Sequence, residues 1–305
     1  MKSLPRNEVI DLEIELSTLC QASCPLCYRN YKVFDTVYTK NIQRDLFDVI
    51  ADLETFPNLK WIRLVGSVSE PTLYKSFLPL VKYIKSRDIN IEICTNGDTN
   101  DVTFWKELAS ALDNKDKVYF TICGSTQEIH EIYRKNTKLK NILRNAEALR
   151  SIRKIDYAQC IRFSYNDKDF PNILEMVSDF THIYETETFL KKEASNYKDK
   201  SKLLDLAPNP TKLKSYSVIE KLANQRLEDH HYHKSSVACK AYEDKSQIMD
   251  VYGKVYPCYL FMEAMNGIAW DGDYEKIFNL SYDCCKYCEK GIRRLLNNSD
   301  LTYII

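Results

Sequence analysis

The chain has 305 residues, and its 43 basic and 43 acidic residues are interspersed, which argues against a nucleic-acid footprint or attraction to an anionic membrane. No apolar run approaches a membrane span and no signal segment opens the chain, so we expect a cytoplasmic protein without membrane contact. Eleven cysteines in such a protein are more typical of metal ligands than of disulfides.

Strand-like and helix-like patterns alternate along the chain, which predicts a parallel α/β sheet or barrel. Strands are predicted over 11–16, 61–65, 89–95, 118–123, 159–165 and 183–190, and helices over 42–54, 73–86, 102–112, 128–134, 139–151, 173–180 and 218–227. We therefore divide the chain into a barrel over 1–190, a polar linker or lid with one helix over 191–228, and a last domain over 229–305.

Three cysteines follow the first predicted strand in C-x₃-C-x₂-C spacing: Cys20, Cys24 and Cys27. Three thiolates on one short loop can ligate three irons of a [4Fe–4S] cluster and leave the fourth iron open to another ligand. A structural zinc is the alternative, but zinc normally takes four protein ligands in paired C-x₂-C spacing. The triplet therefore favours an iron–sulfur cluster with an open coordination position.

This strand and loop resemble the start of the radical SAM superfamily, although Leu26 stands where the family prefers an aromatic residue. The resemblance implies a partial (β/α)₆ TIM-like barrel, with S-adenosyl-L-methionine bound to the open iron. It also implies reductive cleavage of that cofactor to a 5′-deoxyadenosyl radical, which abstracts hydrogen from a substrate carbon. A one-electron reductant of the flavodoxin or ferredoxin type would then be a partner.

The segment after the second predicted strand, Gly66-Ser67-Val68-Ser69-Glu70-Pro71, resembles the "GGE" or "GEP" turn of this family. In the family this turn holds the methionyl amino group of the cofactor. A glycine permits close backbone approach, and a carboxylate accepts charge-assisted hydrogen bonds from an ammonium group. The resemblance therefore assigns Gly66, Ser67, Ser69 and Glu70 to cofactor binding, whereas taken alone the segment is a common loop.

Further segments at the predicted strand ends also resemble cofactor-binding parts of the family. The resemblance assigns Asn96 of a "TNG" segment, Thr121 in place of a serine, Arg134 as a ligand of the cofactor carboxylate, and Asn166 as a ligand of the ribose. The alternatives are a turn for each asparagine and a helix surface for the arginine.

Cys123 stands where the family has an aspartate, at the predicted mouth of the barrel. Its thiol could donate a hydrogen atom to a substrate radical, and a buried core thiol is the alternative interpretation.

A second cysteine group near the end of the chain consists of Cys239, Cys258, Cys285 and Cys288. Between the first two, the sequence predicts a hairpin that turns at Gly253 and brings the two cysteines together. Their spacing resembles the SPASM or "twitch" domain of radical SAM enzymes, which implies a second [4Fe–4S] cluster. A four-cysteine zinc site is the alternative, and Cys284 could replace Cys285.

The predicted function is that of a radical SAM oxidoreductase whose auxiliary cluster accepts an electron from the substrate. A peptide or protein substrate is narrowly favoured over a carbohydrate-like small molecule. About nineteen residues precede Cys20, too few for a leader-peptide-recognition domain, which weakens the case for a peptide without excluding it, since a separate partner could supply that recognition. A non-catalytic iron–sulfur electron carrier or redox sensor is the alternative from another class.

Overall fold

The computed structural model describes residues 4–25, 27, 41–153, 156–163, 165–180, 182–187 and 244–256, with the backbone alone for 182–187. Predicted features that lie outside these residues are the helix over 218–227 and the second cysteine group with Cys239, Cys258, Cys285 and Cys288.

One sheet of eight strands runs through the described part of the chain, in the spatial order β6-β5-β4-β3-β2-β1-β7-β8. Neighbouring strands are parallel except for the last pair, which is antiparallel. The strands are β1 (Asp11–Ile14), β2 (Trp61–Leu64), β3 (Asn90–Thr95), β4 (Lys117–Thr121), β5 (Tyr157–Arg162), β6 (His182–Glu187), β7 (Ser246–Met249) and β8 (Val255–Tyr256).

Helices alternate with the first six strands, which confirms the predicted α/β class. They are α1 (Leu46–Glu54), α2 (Phe77–Ser86), α3 (Val102–Ala111), α4 (Gln127–Tyr133), α5 (Leu139–Arg150) and α6 (Phe170–Met176). The predicted helix over 42–54 begins later because Asp45 caps it, accepting a hydrogen bond from the Phe47 amide. The one predicted over 73–86 is divided into a 3₁₀ turn at Pro71–Leu73 and α2.

Alternate residues of the strands separate an apolar face from a polar face of the sheet. The apolar face packs against the helices. Each of the four neighbouring strands β1 to β4 contributes two buried side chains to it: Leu12 and Ile14, Ile62 and Leu64, Ile91 and Ile93, and Val118 and Phe120. On the other face each of β1 to β4 places one charged residue in the same cross-strand register: Glu13, Arg63, Glu92 and Lys117. A polar face is unusual for a parallel sheet, and it leaves the interior of the barrel suited to polar ligands.

Trp105 of α3 is the largest fully buried side chain of this core. Its ring packs 5.0 Å from that of Phe120, and its indole N–H donates to the Thr99 carbonyl at 2.9 Å. We expect Trp105→Ala to lower the free energy of unfolding by about 3–5 kcal/mol, measured by chemical denaturation. The control Trp105→Phe keeps a ring and loses the hydrogen bond, and should cost less. A loss below about 1 kcal/mol in the alanine variant would contradict this packing.

The hairpin predicted around Gly253 is formed by β7 and β8, and it extends the barrel sheet next to β1. Gly253 has a φ of +78°, and a Cβ there would lie 2.8 Å from the Asp52 carboxylate. Arg44 forms an ion pair with Asp52 and donates to the Met249 sulfur at 3.0 Å. These contacts join the hairpin to α1, a position that the sequence did not indicate.

No helix in the described part of the chain combines the length and the apolarity needed to cross a membrane.

Candidate cluster and cofactor site

The cysteine loop follows β1. One backbone hydrogen bond joins the loop to the segment after α4, and another closes a turn within it. The Ser23 amide donates to the Lys135 carbonyl at 3.1 Å, and the Cys27 amide donates to the Cys24 carbonyl at 3.1 Å. Cys24 is buried, while Cys20 and Cys27 are partly exposed. The loop therefore presents three cysteine side chains that form no disulfide among the described residues, from a turn that the barrel scaffold fixes.

Burial and the nearby Glu70 carboxylate raise the pKa of Cys20 to about 12. Without a metal this sulfur is therefore a neutral thiol, and metal binding has to release its proton. No three histidine, cysteine or acidic side chains of the described residues converge on a point that suits a single metal ion. A four-iron cluster places each thiolate on a different iron, so its ligands do not converge in this way.

Glu70, predicted to bind the cofactor amino group, is buried between the ends of β2 and β3. Its Oε1 accepts from the Thr72 hydroxyl at 2.7 Å and the Thr95 hydroxyl at 2.6 Å, and its Oε2 accepts from the Asn96 amide N–H at 2.7 Å. Its own amide donates to the Leu19 carbonyl of the cysteine loop at 2.6 Å. Burial raises the pKa of this carboxyl although these donors oppose the shift. Glu70 thus ties two strand ends to the cysteine loop.

Asn96 forms a reciprocal pair of side-chain amides with Gln21, the residue after the first cysteine of the triplet. Gln21 Nε2 donates to Asn96 Oδ1 at 2.9 Å, and Asn96 Nδ2 donates to Gln21 Oε1 at 3.2 Å. The same Asn96 nitrogen lies 3.9 Å from the Cys20 sulfur. Gln21 is not among the residues predicted from the sequence, although its position inside the C-x₃-C spacing is an available signal.

Arg134, predicted to bind the cofactor carboxylate, reaches the cysteine loop from the end of α4. Its Nη1 donates to the Cys24 sulfur at 3.7 Å, and its guanidinium lies 5.3 Å from the centre of the Tyr133 ring. Its Nε is buried and has no hydrogen-bond partner among the described residues. One edge of the guanidinium therefore remains available for an anion beside the cysteines.

Two glutamates hold the predicted turn after β2: Glu13 lies in β1, and Glu15 lies just beyond the end of β1. Glu15 accepts from the Ser67 amide at 2.6 Å and from the Ser69 hydroxyl at 3.1 Å, while the Ser67 hydroxyl contacts Glu13 at 3.4 Å. Gly66 has a φ of +61°, and a Cβ there would lie 2.5 Å from the Ser69 carbonyl oxygen. Glu15 is not among the residues predicted from the sequence, because the polar and apolar alternation of its segment indicates only a strand.

Glu13 is a buried acid whose pKa is raised well above its usual range by burial and by the charge of Glu15. Its folded form therefore binds a proton more tightly than the unfolded chain, and stability falls as pH rises through the folded pKa. Glu13→Gln removes this loss, so we expect the variant to be more stable than the unsubstituted protein at about pH 8 and similar to it at about pH 5. Thermal unfolding at both pH values measures this, and an unchanged pH dependence would contradict it.

Cys123 is fully buried where β4 ends, and three side chains fix its backbone. Its amide donates to His130 Nδ1 at 3.2 Å, and its carbonyl accepts from Asn166 Nδ2 and the Tyr165 hydroxyl, both at 3.1 Å. Burial and the positive charge of Arg134 lower the pKa of His130 to about 3, so this imidazole is neutral. Burial opposes ionisation of the Cys123 thiol, but the Cys160 thiol and the guanidinium lower its pKa overall.

The predicted residues therefore differ in how close they lie to the cysteine loop. Glu70, Asn96 and Arg134 contact the cysteine loop directly. Ser67 and Ser69 instead contact Glu15, which precedes the loop. Thr121 contacts Gln159 of β5 at 3.4 Å instead. Both ends of the Asn166 amide are bonded to backbone groups, so binding a ribose would require exchange of these bonds.

These residues suit an iron–sulfur cluster with an additional anionic ligand. Three thiols of one loop supply the ligands, and the unpartnered Nε of Arg134 supplies a buried donor for a carboxylate beside them. The class of protein is therefore a parallel α/β barrel with a three-cysteine loop after its first strand.

Comparison with known proteins places the chain in a family. The model of the radical SAM superfamily matches residues 14–177, more than half of the chain, and the protein belongs to this superfamily of enzymes. A tungsten-containing aldehyde ferredoxin oxidoreductase cofactor-modifying protein of Pyrococcus furiosus is 31% identical over 112 residues, which are 36% of this chain and 30% of that protein.

Solved structures share the fold at low sequence identity. Streptococcus suis SuiB bound to its precursor peptide SuiA matches 93% of this chain with a TM-score of 0.58 and 13% identity. The chain covers 66% of SuiB, just under two thirds of its length. The anSMEcpe structure with bound AdoMet matches 82% of this chain and 71% of its own, with a TM-score of 0.52 and 18% identity.

Proposed function

We propose that this protein is a radical SAM enzyme that binds a [4Fe–4S] cluster through Cys20, Cys24 and Cys27 and S-adenosyl-L-methionine beside it. The observation that carries the proposal is the convergence of Glu70, Asn96 and Arg134 on this loop from three different parts of the barrel. Once bound, the cluster and cofactor supply a 5′-deoxyadenosyl radical by one-electron reductive cleavage. The protein's task is to hold the reactants close together and to exclude water and other donors.

Arg134 is the proposed ligand of the cofactor carboxylate, because its buried Nε lacks a partner among the described residues while Nη1 contacts Cys24. A guanidinium can serve two acceptors along different edges. The turn with Gly66, Ser67, Ser69 and Glu70 is the proposed site of the cofactor amino group. Its carboxylate already accepts protein donors, so we assign it mainly to shaping the turn.

Thr121 and Asn166 remain proposed cofactor contacts, and Cys123 remains the proposed hydrogen-atom donor. The buried position of Cys123 next to Arg134 means that a substrate radical would have to form at the ends of β4 and β5 to reach it. The lowered thiol pKa does not favour hydrogen-atom donation, which requires the S–H form.

A peptide or protein is the proposed substrate, and oxidation with a second [4Fe–4S] cluster on Cys239, Cys258, Cys285 and Cys288 is the proposed outcome. Support for a peptide substrate comes from structures with the same fold, among them SuiB with its precursor peptide and anSMEcpe with the Cp18Cys peptide. The Pyrococcus furiosus relative, by its name, acts on a cofactor, and a small molecule is therefore the second candidate substrate.

Detection of 5′-deoxyadenosine by mass spectrometry tests the proposed function. Anaerobically reconstituted protein is mixed with dithionite and S-adenosyl-L-methionine, next to a variant in which Cys20, Cys24 and Cys27 are alanine. We expect the nucleoside in the unsubstituted protein and a complete loss in the variant. Equal yields from both proteins, or no binding of the cofactor by iron-loaded protein, would contradict the proposal. Deuterium transfer into the nucleoside from candidate peptides then identifies the substrate class.

A further inference from the structure

Two of the three cysteines in the loop receive an N–H group from side chains that lie far away in sequence. Asn96, at the end of β3, points Nδ2 at the Cys20 sulfur at 3.9 Å. Arg134, after α4, points Nη1 at the Cys24 sulfur at 3.7 Å. Sulfur accepts hydrogen bonds at such distances because its radius is larger than that of oxygen. Two cysteine sulfurs of the loop therefore each accept a hydrogen bond from a different part of the barrel.

The orientation of the Asn96 donor is fixed by three contacts on its other atoms. Its side chain pairs with the amide of Gln21, its backbone N–H donates to Glu70, and its Oδ1 accepts from the Asp98 amide at 3.0 Å. Rotation of the side-chain amide would place like groups of Asn96 and Gln21 face to face. Asn96 therefore keeps Nδ2 directed towards Cys20.

Arg134 differs from Asn96 because it carries a full positive charge. An arginine guanidinium keeps its proton under all conditions in which proteins fold, so a full positive charge lies 3.7 Å from the Cys24 sulfur. A cation at hydrogen-bond distance from a thiolate stabilises negative charge on it more than a neutral amide does.

We propose that Asn96 and Arg134 are positioning residues that raise the reduction potential of the cluster on Cys20, Cys24 and Cys27. This inference rests on the proposed function, because it requires that the triplet carries a [4Fe–4S] cluster. Reduction adds one electron, supplied by a low-potential reductant, and no proton, so the negative charge on the cluster and its thiolates grows by one. N–H donors and a nearby cation stabilise this added charge, and the potential becomes less negative.

An EPR-monitored redox titration of the reconstituted full-length protein, without S-adenosyl-L-methionine, tests the proposal. The signal followed is the one that disappears when Cys20, Cys24 and Cys27 are replaced by alanine. We expect Arg134→Gln to shift its potential to a more negative value, Arg134→Lys to shift it less, and Asn96→Asp to shift it in the same direction as Arg134→Gln. Because the cofactor is absent, a loss of cofactor binding cannot produce these shifts.

Asn136→Gly is the matched control. Asn136 Nδ2 donates to the Ser23 hydroxyl of the same loop at 2.9 Å, and its φ of +59° suits glycine, so the change removes a loop contact that does not involve sulfur. We expect the control to leave the potential unchanged.

Unchanged potentials in Arg134→Gln and Asn96→Asp, at full iron content, would overturn the proposal. If Arg134→Gln does not retain iron, unchanged potentials in Arg134→Lys and Asn96→Asp would overturn it equally. Unsubstituted protein that forms no [4Fe–4S] signal dependent on the triplet would instead overturn the proposed function itself, so the two failures are distinguishable.

Discussion

Replacing Glu70 with alanine is expected to lower the free energy of unfolding by about 3 kcal/mol and to weaken cofactor binding. The change leaves the Asn96 amide and the hydroxyls of Thr72 and Thr95 without their acceptor in a buried place. It also removes the support that orients Asn96 towards the cysteine loop. Chemical denaturation of the metal-free protein measures the first effect, and equilibrium dialysis of cofactor against reconstituted protein measures the second.

Glu70→Gln is the control for this prediction, because it preserves the volume and one acceptor oxygen. Its Nε2 would meet the Asn96 N–H as a second donor, so we expect a smaller loss of about 1–2 kcal/mol. A Glu70→Ala variant as stable as the unsubstituted protein would show that these hydrogen bonds do not hold the two strand ends together.

Gly124→Ala is expected to have the second large effect, because it separates α4 from the end of β4. A Cβ at this position would lie 2.3 Å from the His130 nitrogen and 2.7 Å from the Ile129 carbonyl carbon, and backbone atoms cannot rotate away as a flexible side chain can. We expect a loss of about 3 kcal/mol, as for overpacking of a closely packed core. Since Arg134 follows α4 directly, its guanidinium would also move away from Cys24.

Thr126→Ala separates displacement of α4 from simple loss of its stability. Thr126 caps this helix by accepting a hydrogen bond from the Ile129 amide, and its removal should cost about 1 kcal/mol without moving the helix. In reconstituted protein we expect Gly124→Ala, but not Thr126→Ala, to change the EPR signal of the cluster. The same signal in both variants would contradict the predicted displacement.

The α/β fold could be predicted because hydrophobic periodicity records which residues face the core. Alternation over β3, with Ile91 and Ile93 buried, and the helical spacing of α2 and α5 were sufficient to predict these elements. Boundaries were less accurate where a cap or a turn decides them. Asp45 delays α1, and the turn at Pro71–Leu73 interrupts what periodicity alone read as one helix.

The neighbour of β1 could not be predicted from periodicity, because strand pairing depends on tertiary contacts. The β7 strand follows β1 by more than two hundred residues in sequence, yet it pairs with it in parallel. Arg44, which links β7 to α1, is an ordinary polar residue in the sequence.

Motifs predict a set of loops for the candidate site, but they do not predict what each side chain contacts. Glu70 belongs to a recognisable turn, yet its oxygens accept donors from two strand ends that the sequence gives no means of pairing with it. Gln21 and Glu15 escaped notice for the same reason, since their partners lie more than fifty residues away.

The most direct test of the central claim is whether S-adenosyl-L-methionine binds to an open iron of a cluster on Cys20, Cys24 and Cys27. Electron–nuclear double resonance of the reduced protein, with cofactor labelled by oxygen-17 in its carboxylate, measures this contact. We predict a hyperfine coupling to the label that is absent when the three cysteines are replaced by alanine. A reduced cluster whose spectrum shows no coupling at saturating cofactor would contradict the account.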